Sequence, residues 1–243
     1  MAIEFFGDTS AFGDLAGWEI QTGPNPSTET SYANALGRDG DEIRHAGYGA
    51  KTSATCTYVS TATSGSLTLP KVGAILNGYH VDSVSVAYEQ TGFPTLTVTG
   101  HRHDDGSPDK DTRTYSPSVE LPAVTLGVPS ELDGAFSLSA SAECGMRSLT
   151  YSLTCTHVDE MDADGGHLAG ENHDGVETLS AEFTGKVTVG SSGTDVVADA
   201  AWFAGTHSQS MGNTSATTTS LTLTRHIAHD AAAHDAAAHD AAA

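Results

Sequence analysis

The feature that most restricts how this sequence can fold is a recurring alternation of apolar residues with small residues, most of which are serine or threonine. Residues 83–88 and 95–99 alternate in this way, and so do residues 148–156 and 220–224. A period of two places the apolar side chains on one face of an extended chain, which is typical of half-buried β-strands. The turn at Gly92-Phe93-Pro94 separates the first two segments, and it predicts that they form an antiparallel pair.

The composition favours the same fold class. The chain of 243 residues contains 31 threonines, 25 serines and 26 glycines, and aromatic residues make up 7%. Threonine suits strands, whereas glycine and serine suit turns. About nine short strands separated by turns are typical of a sandwich or barrel, so we predict an all-β protein built as an antiparallel β-sandwich or barrel. Further strands are predicted at residues 54–60, 66–69, 119–126, 135–140, 177–189 and 195–203.

The N-terminal segment, residues 1–50, contains eight glycines and only scattered apolar residues. It is too poor in apolar side chains to build a core of its own, and its glycines favour extended chain with turns. We predict an extended, glycine-rich assembly arm, followed by a β-domain over residues 51–227. The arm carries four aromatic residues that are expected to pack on another subunit, namely Phe5, Phe6, Phe12 and Trp18.

The C-terminal segment, residues 228–243, is a low-complexity tail that repeats the sequence His-Asp-Ala-Ala-Ala. Alanine is the strongest helix former, and an aspartate four residues before a protonated histidine stabilises a helix. We therefore predict a short alanine-rich helix from about His226 that is stable when docked on another subunit. A solvated, frayed appendage is the alternative.

The charge of the chain excludes two classes of partner. There are 31 acidic and 10 basic residues, which give a formal net charge of -21. Nucleic acids and anionic membrane surfaces repel such a chain, so we expect neither sequence-specific nucleic-acid binding nor membrane association. No apolar run approaches the ~18 residues of a membrane helix, and the first residues lack the features of a signal peptide. Synthesis in the cytoplasm of a host cell is the expectation.

The three cysteines, Cys56, Cys144 and Cys155, are odd in number and lack the close spacing of a zinc site. A disulfide framework needs an even set in a secreted chain. We expect these cysteines to serve as small buried apolar residues.

An acidic segment carries the spacing of a calcium-binding loop. Carboxylates occupy loop positions 1, 3, 5 and 12, and Gly165 occupies position 6. This is the pattern of an EF-hand loop, in which oxygen ligands surround a hard cation and the glycine makes a sharp turn. The match is partial, because the preceding segment is predicted to be a strand, and a solvated acidic loop is the alternative. The candidate calcium ligands are Glu160, Asp162, Asp164 and Glu171.

A second candidate metal site contains histidines. His101 and His103 are two residues apart at the end of a predicted strand, so both side chains lie on one face and could ligate zinc if a third ligand came close. The candidates for that ligand are His157 and His226, since both follow strands that end in the same Leu-Thr-x-Thr pattern as the strand before His101. A polar strand end without metal is the alternative.

No catalytic motif stands out. Serine, histidine and aspartate are abundant, but no Gly-x-Ser-x-Gly turn or similar context presents a nucleophile. We therefore expect no enzymatic activity, and no cofactor apart from the candidate calcium ion.

The threonine-rich strands between residues 52 and 227, the acidic segment 156–175 and the lack of an export signal together resemble bacteriophage virion structural proteins, in particular tail-tube subunits. The resemblance implies a location in the virion, stacked homo-oligomeric rings that are hexameric in tubes of this kind, and contacts with other virion proteins. A conduit lined by carboxylates would let DNA slide through, because like charges repel and no counterions are released.

Two other functions fit the same sequence. A β-sandwich of the receptor-binding or adhesive type would present its specificity on loops such as residues 104–110 or 159–175. A filament subunit unrelated to phages would share most physical properties with a tail-tube protein. Self-association distinguishes the binding module from the two structural functions.

Overall fold

The structure is a computed structural model, and within its described residues every regular element is a β-strand. It describes residues 10–36, 38, 42–103, 113–129, 131–132, 135–138, 145–161, 167–185, 187, 189–190, 196–198, 202–210 and 217–230. In this part of the chain, no helix has the length and apolar character needed to cross a bilayer. The prediction of an all-β protein is confirmed.

The strands are numbered in chain order. They are β1 (Trp18–Thr22), β2 (Ser27–Leu36), β3 (Glu42–Ser60), β4 (Ile75–Leu76), β5 (Tyr79–Glu89), β6 (Thr95–His103), β7 (Glu131–Leu132), β8 (Phe136–Leu138), β9 (Gly145–Met161), β10 (His167–Thr184), β11 (Val189–Gly190), β12 (Val196–Ala198), β13 (Phe203–Ser210) and β14 (Thr218–Ile227).

Ten of these strands form one large open sheet in the order β1-β3-β6-β5-β9-β10-β14-β13, while β2 also pairs with β3 and β4 with β5. All its pairs are antiparallel. A smaller sheet has the order β11-β12-β8-β7. The antiparallel pairing predicted for residues 83–88 and 95–99 is confirmed, because Val84 lies opposite Val98 in β5 and β6.

The apolar face of the central strands forms the core. Val84 is paired with Leu153 across β5 and β9, and both side chains are fully buried. Irregular segments of residues 61–74 and 113–129 contribute to the same core through buried side chains such as Val72 and Leu121. The alternation therefore did select the buried face of each central strand.

Two of the predicted strands are wrong. Residues 66–69 and 119–126 make only isolated bridges, of which one joins Ser66 to Pro122. Proline has no N–H to donate to a ladder, which disfavours a continuous strand at this point. These segments cover the core without extending the sheet.

The N-terminal segment is partly integrated into the sheet, since the predicted boundary at residue 50 falls inside β3. The expectation that Phe12 and Trp18 pack on another subunit is wrong, because both are buried in the core of their own chain. The ring of Phe12 packs edge-on against Tyr79 with centroids 5.7 Å apart, and Trp18 Nε1 donates to the carbonyl of Thr68 at 2.8 Å. Phe5 and Phe6 lie outside the described residues.

The chain after β14 does not begin with a helix. His226 and Ile227 still belong to β14, and residues 228–230 have no regular structure, so a helix starting at His226 is wrong. The backbone N–H of Asp230 donates to the carbonyl of Thr114 at 2.7 Å. This hydrogen bond attaches residues 228–230 to the irregular segment of residues 113–129, which covers the core. Residues 231–243, with most of the predicted helix, lie outside the described residues.

The cysteine prediction is confirmed for Cys56, which is a fully buried free thiol in the core. Cys155 is also a free thiol and is half-buried. Burial raises the pKa of the Cys155 thiol to about 12. Cys144 lies outside the described residues.

Candidate metal centre

Five histidines, two aspartates and one asparagine meet where β5, β6, β9 and β10 run side by side. Each histidine side chain is at most 6% exposed, although histidine is only moderately common in protein interiors. We call this group the histidine cluster. Its members are His80 and Asp82 on β5, His101 and His103 on β6, His157 and Asp159 on β9, and His167 and Asn172 on β10.

Strand register brings these residues together. His80 lies opposite His101, and Asn172 lies opposite His157. The register shifts in β5 at Asp82 and in β10 after His173, so a β-bulge lies beside the cluster in each of these strands. A bulge bends its strand and changes the direction of the side chains around it. The face of the sheet on which each cluster residue lies therefore does not follow from alternation alone.

Asp159 lies at the centre of one half of the cluster. Its Oδ1 atom is 2.8 Å from Nε2 of His157 and 3.0 Å from Nε2 of His103, and 3.6 Å from Nε2 of His167. The rings of His103 and His167 stack with centroids 3.6 Å apart. The other oxygen, Oδ2, is 3.4 Å from Nζ of Lys51, so the lysine leaves Oδ1 facing the histidines.

The orientation of Asn172 fixes the hydrogen-bond role of one ring nitrogen in each of two histidines. Its Nδ2 donates to the carbonyl of Arg113 at 2.9 Å, and a carbonyl only accepts, which sets the direction of the amide. Its Oδ1 then faces Nδ1 of His157 at 2.8 Å, so that ring nitrogen carries a hydrogen and donates it. The same Nδ2 lies 3.0 Å from Nε2 of His80, which accepts.

Asp82 orients His101. Nδ1 of His101 lies 2.7 Å and 2.9 Å from the two carboxylate oxygens of Asp82, so it donates to them. The other ring nitrogen, Nε2, is buried and has no hydrogen-bond partner among the described residues. The same holds for Nδ1 of His103. Buried polar atoms without partners are rare in folded proteins, and each requires an explanation.

The surroundings favour the charged form of the two carboxylates and the neutral form of His101 and His103. Burial alone would raise the pKa of Asp159, but the close contact with Nε2 of His157 and the charge of Lys51 hold it well below its usual range. The pKa of Asp82 is also held low, because hydrogen bonds from His101 and His80 outweigh the effect of burial. Burial lowers the pKa of His101 and of His103 in spite of their aspartate neighbours.

Two overlapping groups in this cluster place candidate metal ligands close to one another. His101, His103, His157 and Asp159 each offer one ligand atom, and these atoms lie within 4.8 Å of one another; His80, Asp82 and His101 form the second group. Ligands of a tetrahedral zinc ion lie about 3.4 Å apart, given metal–ligand distances of about 2.0–2.2 Å. Shifts of roughly one ångström would bring the first group to that geometry.

The structure brings together most of the histidines in the zinc hypothesis. His101, His103 and His157 meet, whereas His226 is exposed on β14 and is not part of either group. Sequence reasoning missed five members of the cluster, namely His80, Asp82, Asp159, His167 and Asn172. The spacing His157-Val-Asp159 repeats the i, i+2 spacing of His101 and His103. This repeated spacing was the sequence signal that could have identified Asp159 as a further ligand.

The candidate calcium ligands are only partly described. Glu160 is exposed near the end of β9 and lies opposite Ala169 of β10. Glu171 lies on β10 and forms an ion pair with Arg113, so a positive charge that is remote in sequence reaches this acidic segment. Asp162 and Asp164 lie outside the described residues, and the calcium site stays a prediction.

Comparison with known proteins gives no further assignment. No protein-family model matches this chain, and no curated protein matches it at a significant level. Function therefore has to be inferred from the residues of the chain itself.

Proposed function

We propose that this chain is a structural subunit that assembles with copies of itself, in the manner of a phage tail-tube protein. The observation that carries the proposal is the open main sheet. In the described part of the chain, β13 pairs only with β14 at one end of the sheet, and β1 and β2 pair only with β3 at the other. Unpaired strand edges are templates for pairing with another chain.

The edge strand β13 lacks the devices that normally prevent such pairing. Its sequence, Phe-Ala-Gly-Thr-His-Ser-Gln-Ser, contains no lysine, proline or acidic residue, although these residues commonly protect natural edges. Its described side chains at Thr206, Ser208, Gln209 and Ser210 are exposed. A neighbouring subunit that pairs with this edge would continue the sheet, and the sandwich or barrel expected from the sequence would be closed between subunits.

The high negative charge sets a condition on this assembly. A formal charge of -21 per chain makes subunits repel one another, and salt screens that repulsion with a Debye length of about 8 Å at physiological ionic strength. Assembly is therefore expected to strengthen as salt is added. An acidic inner surface would also leave DNA free to move, because it binds no phosphates.

Sedimentation and negative-stain microscopy of the purified chain at low and high salt test the proposal. Rings or tubes that increase with salt support it, whereas a monomer over the whole concentration and salt range contradicts it and favours the binding-module alternative. A double variant, Thr206→Lys with Ser208→Lys, should dissociate the assemblies by charging the β13 edge. The matched control is Thr154→Lys with Ser180→Lys, two exposed positions on inner strands that should leave assembly intact.

A further inference from the structure

We propose that the histidine cluster binds one divalent transition-metal ion, with zinc as the preferred ion, through His101, His103, His157 and Asp159. These four residues are called the metal site below. They come from β6 and β9, two strands that are separated in the sheet by β5. The proposal is independent of self-assembly, because all four ligands belong to a single chain.

The strongest observation is the contact between His157 and Asp159. Asn172 accepts a hydrogen bond from Nδ1 of His157, so in the neutral ring Nε2 presents a lone pair. That lone pair lies 2.8 Å from Oδ1 of Asp159, which is also an acceptor. Two acceptors at this distance repel unless a cation or a proton lies between them. A metal ion satisfies both atoms while the ring stays neutral.

His101 supplies an independent observation. Its Nε2 is buried without a hydrogen-bond partner among the described residues, while its Nδ1 donates to Asp82. A metal-binding histidine normally donates its second ring N–H to a carboxylate or carbonyl, which fixes the tautomer and makes the free nitrogen a better ligand. Asp82 holds His101 in this arrangement, and Asn172 does the same for His157.

The ligand chemistry selects the type of ion. Imidazole suits zinc, copper, iron and nickel, whereas calcium and magnesium take oxygen ligands. Three histidine nitrogens and one carboxylate oxygen match the four-coordinate preference of zinc. Because the protein itself supplies four ligands, the ion has no open position for a substrate, and its role is to hold β6 and β9 in place.

Metal binding by the full chain tests the proposal directly. The chain is freed of metal with chelator and titrated with zinc chloride by calorimetry, and with cobalt(II) by visible spectroscopy. We expect one high-affinity zinc ion per chain, a cobalt spectrum of four-coordinate type and a melting temperature that rises with zinc, because zinc binds the folded state. Calcium in the same titration should not compete for this site.

Variants locate the binding. His103→Ala and Asp159→Asn should each lower the zinc affinity by at least tenfold, because each removes or weakens one ligand. His226→Ala is the matched control, since His226 also ends a Leu-Thr-x-Thr strand but is exposed. A triple variant, His229→Ala with His234→Ala and His239→Ala, removes the tail histidines. It should still bind the high-affinity zinc ion.

Three outcomes would overturn the proposal. One is a wild-type chain that binds no zinc and shows no zinc-dependent melting temperature. Another is affinity that is unchanged in both His103→Ala and Asp159→Asn. The third is binding that disappears in the tail variant. If the site variants do not fold, cobalt spectra of the wild type and of the tail variant still test the proposal. A four-coordinate cobalt spectrum that persists in the tail variant supports the metal site. A tail variant without such a spectrum contradicts it.

Discussion

Nδ1 of His157 donates a hydrogen bond to Oδ1 of Asn172 at 2.8 Å, and this contact determines that Nε2 of the ring faces Asp159. Asn172 is itself completely buried and held by the carbonyl of Arg113. Gly73 makes this packing feasible, since it has a φ of 86° and a Cβ there would overlap that carbonyl and lie 2.7 Å from Nδ2 of Asn172. Asn172 is therefore a positioning residue for the metal site.

Replacing Asn172 should weaken zinc binding without removing a ligand. Asn172→Ala deletes the acceptor for Nδ1 of His157, and loss of such an outer hydrogen bond costs about 10–100-fold in metal affinity. Calorimetric zinc titration of the folded variant measures the change. His173→Ala, at the next and more exposed position of β10, is the control and should bind as the wild type does. Equal affinities for all three chains would contradict this role of Asn172.

Breaking a buried ion pair outside the cluster should destabilise the fold strongly. Glu177 is fully buried and accepts hydrogen bonds from Nη2 of Arg225 at 2.8 Å and from the hydroxyl of Tyr151 at 2.8 Å. Burial, together with the nearby Glu177 charge, raises the pKa of Tyr151 well above its usual range, so this tyrosine remains a donor. Glu177→Gln should lower the free energy of unfolding by about 3–5 kcal/mol, because it leaves the Arg225 charge uncompensated.

The chain provides a matched control for that measurement. Arg147 and Glu182 form an ion pair at 3.1 Å whose side chains are 50% and 42% exposed. Glu182→Gln should change the free energy of unfolding by no more than about 1 kcal/mol, because water and salt screen exposed pairs. Urea unfolding monitored by circular dichroism compares the two variants, and similar losses in both would show that burial of Glu177 is not the cause.

The core should be sensitive to cavities at the centre of the sheet. Leu153 is 0% exposed and Leu168 is 49% exposed, so the same substitution tests burial alone. Leu153→Ala should cost about 2–5 kcal/mol of unfolding free energy, through lost burial and the cavity that remains. Leu168→Ala should stay within about 0.5 kcal/mol of the wild type. Denaturant midpoints at constant slope measure both, and a silent Leu153→Ala would place that side chain outside the core.

Asp230 should make the attachment of the chain end dependent on pH. Burial alone would raise its pKa, but hydrogen bonds from Lys71, Ser116 and Thr114 lower it below the usual value. A carboxyl group with a lower pKa in the folded state stabilises the fold above its unfolded pKa of about 3.9, and that contribution disappears as the pH falls through the folded value. At 29% exposure of its side chain, the contribution is about 1 kcal/mol or less.

The comparison of wild type with Asp230→Asn checks this sign. The difference in unfolding free energy should be constant from pH 7 to about pH 5 and shrink as the pH falls below about 4. Lys71→Met is the control, because the hydroxyl donors Thr114 and Ser116 remain in it. In the Lys71→Met background, Asp230→Asn should still change the unfolding free energy, but by less than in the wild type. A difference that grows on acidification would contradict the lowered pKa of Asp230.

The sequence by itself determined the central strands and the side chains that each of them buries. Alternation is a local property, because successive side chains of an extended chain point to opposite faces whatever the strand pairs with. For the same reason the i, i+2 spacing placed His101 and His103 together, and the short turn after Glu89 identified the pairing of β5 with β6.

The tertiary structure alone decided the rest. His157 reaches His101 because β9 pairs with β5, a choice made by the free energy of the whole core and not by any local pattern. Bulges at Asp82 and after His173 shift the register, and a shift of one residue exchanges the two faces of a strand. The burial of Phe12 likewise depends on the core that the later strands build. The sequence of the N-terminal segment alone therefore does not predict that this ring is buried.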